Sequence, residues 1–400
     1  ESYIMFYKKG FELMCEDGLL GFVTPDTWAI NNNGHEIRDL IRNNLTILKI
    51  YDVYKPFEDA KDVWCHIVIL KNRSSNDGSK YSVKRIPPYN LEIFDFEAYQ
   101  KNLPNKEKRW FLYISPNIQN KIFNKVEEIK TKANIKWHRG ISPSPNPKNL
   151  TQNKTERLVI GGEDVSRYGF NWHRKYLVKD YKNTETIKNL ILNEKIVIQR
   201  IRTNSTDFGS RWLVATYIPK DYIPIDSLGY IFSEESSLNL YFLLALINSK
   251  LLNFYYKLHF TDKNVKPIYL NELPMPSIEI EKQKELIEKV KSLLKLNNEV
   301  YEKTYKILEL IKNEFNLKKI SNKLEKFYEL DFNSFVKEFG EHNLSLNKKS
   351  ELIEFFEENK MKVLGLYNKI NNIDYEIDQE VYNLYGIARE EQKIIEENLK

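Results

Sequence analysis

Only two cysteines, Cys15 and Cys65, occur in 400 residues, which leaves no material for a disulfide framework or a cysteine-rich metal site. Both thiols sit in apolar runs, so they are expected to be buried and reduced, in a cytoplasmic setting. Long apolar runs are scarce too. The longest, Leu238 to Leu258, is interrupted by Asn239, Asn248, Ser249, Lys250 and Asn253, which a bilayer disfavours. It predicts a buried helix and no membrane partner, and no stretch reads as a secretory signal. His138 has no carboxylate or cysteine at ligand spacing, which argues against a metal or catalytic role. No internal repeat is found.

What is present is a chain long enough for two or three domains, 42% hydrophobic and 29% charged, able to bury a sizeable core. Its net charge of +5 is unevenly spread. Residues 278 to 400 hold about 21 basic against about 25 acidic side chains, a net of roughly −4, leaving roughly +9 for the first 277 residues. The basic part is the expected nucleic-acid surface.

The opening residues alternate. An amphipathic helix from Tyr3 to Cys15 meets a turn at Glu16-Asp17-Gly18, where glycine favours a helix stop. Strands are predicted at Leu19–Thr24, Thr46–Val53 and Val63–Leu70, rich in the branched residues strands favour. Between the first two lies a helix at His35–Asn43 with Ile37, Leu40 and Ile41 on one face. Helix, strand, helix, strand, strand is the closing half of a doubly wound α/β sheet.

Four stretches carry a family resemblance: Tyr3-Ile-Met-Phe-Tyr7, Gly18 to Trp28, Ile37 to Ile41, and Lys55-Pro-Phe-Glu-Asp-Ala60 leading into Val63–Lys71. Together they resemble the later motifs of adenine-specific DNA methyltransferases, above all the fused, Eco57I-like restriction-modification enzymes. The family's early motifs, the glycine loop for S-adenosylmethionine and the Asn-Pro-Pro-Tyr/Phe loop that grips the target amine, do not occur. The Pro87-Pro88-Tyr89 triplet lacks the asparagine and reads as a turn. The resemblance therefore implies that residues 1–90 are the C-terminal half of a methyltransferase domain begun mid-fold at Glu1. No catalytic residue is expected in this chain, and S-adenosylmethionine would be bound mainly by an absent N-terminal half. It also implies that Phe57, just before the last strands, stacks on the extruded target adenine. The alternative is a core phenylalanine covering the sheet edge.

Residues 91–129 are expected to be a linker. Beyond it, Lys136–Asn146, Arg157–Gly169 and Lys195–Arg202 alternate apolar strands with basic or polar turns. They precede Tyr217–Asp221, a helix at Tyr241–Tyr256 and a closing Leu270–Pro276. In this order the pieces resemble, over residues 130–277, a TaqI-like target recognition domain and the type I specificity subunits. The chemistry expected of such a domain is double-stranded DNA readout. Forked donors and amides read base edges, and Arg139, Gln199, Arg200 and Arg202 supply these; cations and small polar groups hold phosphates, and Ser142, Ser144, Asn146, Lys148, Arg167 and Arg174 supply those. A solvated surface side chain is the plain alternative for each.

Residues 278–400 are expected to be helical. Ile287, Val290, Leu294, Tyr301, Leu308 and Ile311 fall at three- and four-residue spacing, with Asn297 and Thr304 as polar members of the stripe that could fix its register. Further helices are predicted at Leu352–Ile370 and Asp374–Tyr385. Two functional readings follow. In the first, the chain is the C-terminal part of a site-specific DNA adenine methyltransferase, partnered by the absent half. In the second, it is a non-catalytic specificity module acting on a separate methyltransferase subunit; the lack of a repeat favours the first, because type I subunits normally carry two recognition domains.

Overall fold

The structure, a computed structural model, describes residues 2–58, 64–86, 95–103, 110, 112, 118–128, 135–143, 149–182, 184–201, 212–236, 238–260, 264–276, 278–340 and 345–399. The chain divides into two compact units, Glu1–Lys125 and Val126–Lys400.

In the first unit, α1 (Ser2–Leu13) and α2 (His35–Asn44) pack on a five-stranded sheet. Its strands are β1 (Leu19–Pro25), β2 (Thr46–Tyr54), β3 (Trp64–Lys71), β4 (Lys80–Ile86) and β5 (Asp95–Tyr99), in the order β1-β3-β2-β4-β5. Only the β2–β4 pair is parallel; the other three are antiparallel. The architecture is thus α/β with a mixed sheet, a coarser result than the doubly wound expectation.

The core gathers Trp28, Ile37, Ile41, Ile47, Ile50, Val68, Leu70 and Val83. Arg38 is buried among them because its Nη1 donates to the carbonyls of Trp28 (2.7 Å) and Asn31 (2.8 Å), acceptors that the end of a short helix leaves open. Gly34 makes this possible: a Cβ there would stand 1.9 Å from the Trp28 carbonyl oxygen. At the end of α1 it is Asp17, not Gly18, that takes a positive φ of 60°, held by Lys71 at 2.9 Å. Asn72 Nδ2 then donates to the Met14 and Cys15 carbonyls.

Two expectations are corrected in this unit. Cys15 is exposed and only Cys65 is buried, because Cys15 lies past the last helical turn. The stretch 91–129 is not a plain linker: β5 extends the sheet, and Trp110 and Leu112 enter the core, with Trp110 N–H bonded to the Ala29 carbonyl at 2.8 Å.

The second unit begins with two four-stranded sheets. One orders β14 (Tyr222–Pro224), β8 (Leu158–Ile160), β11 (Lys175–Leu177) and β7 (Leu150–Thr151); the other orders β13 (Ala215–Ile218), β12 (Lys195–Gln199), β15 (Leu228–Phe232) and β6 (His138–Arg139). A hairpin, β9 (Val165–Ser166) with β10 (Gly169–Phe170), completes the strands. Val159, Leu177, Val197, Ile218, Ile223 and Leu228 join in one core with Ile187 and Leu190 of α3 (Glu185–Leu192).

The expected helix over 241–256 is two, α4 (Leu240–Asn248) and α5 (Lys250–His259). Ser249 separates them with an extended ψ of 152° and caps α5 through Leu252 N–H. Three of the polar residues that break the apolar run, Asn248, Ser249 and Asn253, are themselves buried and bonded. The Asn248 amide takes both the N–H (3.1 Å) and the carbonyl (3.0 Å) of Ala215 on β13, and Asn253 accepts the Leu213 N–H at 2.6 Å.

The helical region is built on α6 (Ile280–Glu314) and α8 (Leu346–Leu384), with α7 (Phe332–Lys337) between them and α9 (Arg389–Leu399) after. The two helices expected at 352–370 and 374–385 form the single helix α8, because no glycine turn or proline breaks 371–373. Phe327, Phe335 and Phe356 centre its aromatic core with Val300, Ile307 and Val363.

Candidate nucleic-acid interface

One end of the β12–β15–β6 sheet brings together three of the predicted DNA-reading residues, Arg139, Ser142 and Arg200. β6 pairs with β15 so that Arg139 lies opposite Gly229, and the next residues continue the approach, Gly140 N–H to the Leu228 carbonyl at 2.9 Å and Ile141 N–H to Pro224 at 3.0 Å. Only glycine fits at 140, since a Cβ would stand 2.1 Å from the Ile225 carbonyl oxygen. This close approach sets Arg139 beside the Ile225–Leu228 turn, itself closed by Leu228 N–H on the Ile225 carbonyl at 2.8 Å. From the other side β12 ends at Gln199, and Arg200 N–H reaches the Ser227 carbonyl at 2.8 Å.

Asp226, at the tip of that turn, is the hub. Arg139 Nη2 donates to its Oδ2 at 3.2 Å and Ser142 Oγ lies 3.5 Å from the same oxygen. Arg200 Nη1 donates to its backbone carbonyl. Burial, and then the charge of Arg139, push the Arg200 guanidinium below its ordinary range, with Asp226 opposing. Arg200 Nε is buried with no hydrogen-bond partner among the described residues. Two guanidiniums around one carboxylate leave a local excess of positive charge, with donor capacity to spare for an anion or a base edge. Sequence reasoning missed Asp226. Its link to Arg139 spans 87 positions, and no local pattern signals a contact of that range.

The other predicted residues are placed differently. Gln199 turns inward, its Nε2 donating to the carbonyls of Gly162 (2.9 Å) and Val165 (2.7 Å); the amide is spent on holding the β8–β9 connection. Arg167 is committed to a bidentate pair with Asp374 on α8, at 2.6 and 3.1 Å, and to the Asn248 carbonyl. Burial costs this guanidinium, and the Asp374 carboxylate outweighs that cost and holds it charged. Arg174 is exposed with a φ of 55°, lining a cleft of about 510 Å³ walled by Phe170, Trp172, Tyr301 and Tyr305. Asn297 and Thr304 face this same cleft, so the polar positions of the α6 stripe meet the recognition strands. His138 stacks on Tyr230 with ring centroids 5.3 Å apart. Ser144, Asn146, Lys148 and Arg202 lie outside the described residues.

In the first unit Phe57 is 60% exposed, on a loop where Lys55 takes a φ of 46°. Beneath the loop, β2 and β3 bury Asp52 and His66, 3.7 Å apart. These two carry no exposed chemistry.

Comparison with known proteins follows the same division. Residues 1–58 match the model of the Eco57I restriction-modification methylase, residues 157–275 the TaqI-like C-terminal specificity domain, and residues 279–381 a domain of unknown function (DUF8810). The Type II methyltransferase M.BstVI of Geobacillus stearothermophilus is 29% identical over 76 residues, 18% of this chain and 14% of that protein. The Type IIL restriction-modification enzyme MmeI, solved in complex with DNA, superposes over 91% of this chain and 52% of its own, with a TM-score of 0.52 and 12% identity. The type IIG restriction endonuclease BpuSI superposes over 72% of this chain and 44% of its own, at a TM-score of 0.31 and 10% identity. This chain therefore spans about half the length of MmeI and a small part of M.BstVI. In order along the sequence, the chain matches the domains of fused type II restriction-modification enzymes, an Eco57I-like methylase region followed by a TaqI-like C-terminal specificity domain.

Proposed function

We propose that this chain is the DNA-specificity part of a restriction-modification system, selecting a duplex site without itself transferring a methyl group. The observation that carries this reading is the convergence of Arg139, Ser142 and Arg200 on the Asp226 turn; the turn and Arg200 lie in the region matched to the specificity domain, and Arg139 and Ser142 precede it. Arginine forks at a rigid sheet edge suit base-edge and phosphate contacts, and the helices α6 and α8 suit attachment to a methyltransferase, as a separate subunit or on the same chain. Selection of bound duplexes from a random pool tests this. Enrichment of one asymmetric site that survives moderate salt is the expected result; weak binding erased by salt, with no motif, overturns it.

A second reading, the C-terminal part of an adenine methyltransferase, is supported by the methylase match over residues 1–58 and by the exposure of Phe57. In this reading S-adenosylmethionine would be held mainly by residues other than these. The cleft of about 330 Å³ between α1 and α2 is lined by groups such as Lys8, Glu36, Asp39 and Asn44, with no Phe, Tyr or Trp to stack on an adenine. In this reading Phe57 would stack on the extruded base once the cofactor-binding half is supplied. With 2-aminopurine at the target position of the reconstituted enzyme, Phe57→Ala is expected to quench the flipped-base fluorescence signal and methyl transfer together; both persisting would remove Phe57 from the site.

A further inference from the structure

We infer that Asp226 is a specificity-determining positioning residue, which holds Arg139 back from indiscriminate phosphate contacts and releases it on the correct duplex. The inference rests on the DNA-specificity reading above and deepens it. Three observations carry it. The Asp226 carboxylate takes the outward guanidinium of Arg139 at 3.2 Å, although Arg139 is 59% exposed and otherwise open to solvent and to an approaching strand. The same oxygen faces Ser142 Oγ at 3.5 Å, so one acceptor restrains two predicted DNA-contacting groups. The Asp226 backbone carbonyl meanwhile anchors Arg200, so a single turn sets the positions of both arginines.

The placement is costly for a protein that only needs tight binding. A carboxylate among the cations that meet DNA repels every phosphate, cognate or not, and weakens non-specific association, which is nearly all electrostatic. Such a charge is useful where discrimination matters, because specificity is a difference of affinities and an element that penalises the wrong partner widens it. On a cognate site the exchange is balanced: Arg139 leaves the carboxylate for a guanine edge or a phosphate, and Asp226 then accepts from Ser142 or from a cytosine amino group in the major groove. On random DNA the carboxylate retains Arg139, and one phosphate contact is not made.

The test compares the full chain with Asp226→Asn, which keeps a turn-forming side chain of the same shape and removes the charge. Affinity is measured for the selected site and for random duplex across a salt series. For Asp226→Asn, binding to random duplex is expected to tighten roughly three- to tenfold at low salt, and its slope of log K against log salt to steepen by about one contact. The ratio of specific to random affinity is expected to fall correspondingly. In the Arg139→Gln, Asp226→Asn double variant the gain should vanish, because the freed arginine is what makes the new contact. A role confined to holding the turn would weaken both affinities together and leave the salt slope unchanged, and that result overturns the inference. So does an unchanged ratio in Asp226→Asn while the wild-type chain selects its site. A wild-type chain that selects no site overturns the specificity reading itself, and the inference with it.

Discussion

Lys195 is fully buried, yet among the described residues no carboxylate bonds its ammonium; Nζ donates to the Pro219 and Tyr222 carbonyls at 3.3 and 3.1 Å. Burial pushes it down from 10.5 to about 8, with Asp221 opposing. A lysine depressed in the folded state is charged in both states below about pH 8 and carries a folding penalty there. The penalty is relieved as pH rises from the folded value towards the unfolded one. Between pH 7.5 and 10 the wild-type chain should therefore gain roughly 2 kcal/mol relative to Lys195→Met, read from urea midpoints at the two pH values. Arg167 and Asp374 make the opposite case, a partly buried pair at 2.6 Å. Asp374→Ala strands a guanidinium and should cost about 3 kcal/mol, whereas Arg167→Met with Asp374→Leu should recover most of it. Gly34→Ala is expected to unfold the first unit locally, since its Cβ would stand 1.9 Å from the Trp28 oxygen, and the loss would show as early quenching changes at Trp28.

At the scale of elements, Ser249 and Asn248 explain why α4 and α5 are two helices. Ser249→Ala should cost about 1 kcal/mol through the lost cap. Asn248→Ala should cost more, about 1–3 kcal/mol, because the Ala215 N–H would be left buried and unbonded, while its carbonyl would keep the Tyr168 N–H. Thermal melts of the two variants should separate accordingly. The same residues mark how far the sequence could be read. That the run 238–258 is buried followed from its polar interruptions; that these make a break, with Asn248 bonding a strand 33 positions away, did not. Strands β1, β2 and β3 were legible from branched residues at strand length, but β5 was not, because Asp95-Phe-Glu-Ala-Tyr99 carries two carboxylates and no branched residue. Arg139 and Arg200 were legible as forked donors by type. Their common partner Asp226 was hidden, and Arg167 and Gln199 look the same in sequence whether they face a groove or, as here, hold the fold together.

At the scale of the whole molecule, the second unit ties its helices to one another through fixed charges. Lys250 meets Glu396 at 2.8 Å and its N–H meets Asp378 at 2.8 Å; Lys289 bridges Glu376 and Glu380 at 2.7 and 2.8 Å. S-adenosylmethionine added to this chain is expected to shift its melting temperature by less than about a degree, as the absence of ligand stabilisation requires; a larger, concentration-dependent shift would show a cofactor site within these residues. The α6–α8 pair has a consequence of another kind. The helices run antiparallel, Lys289 beside Glu376 and Glu380 at one end, and α8, at 39 residues, is about 58 Å long. Two rails bolted along their length can be lengthened only together. A one-residue insertion in either turns every later side chain by about 100° and misaligns the seam, whereas the residues at the Asp226 turn can be exchanged one at a time. On the DNA-specificity reading proposed above, what the protein reads is free to drift in evolution, while the distance over which it reports is held as a fixed gauge.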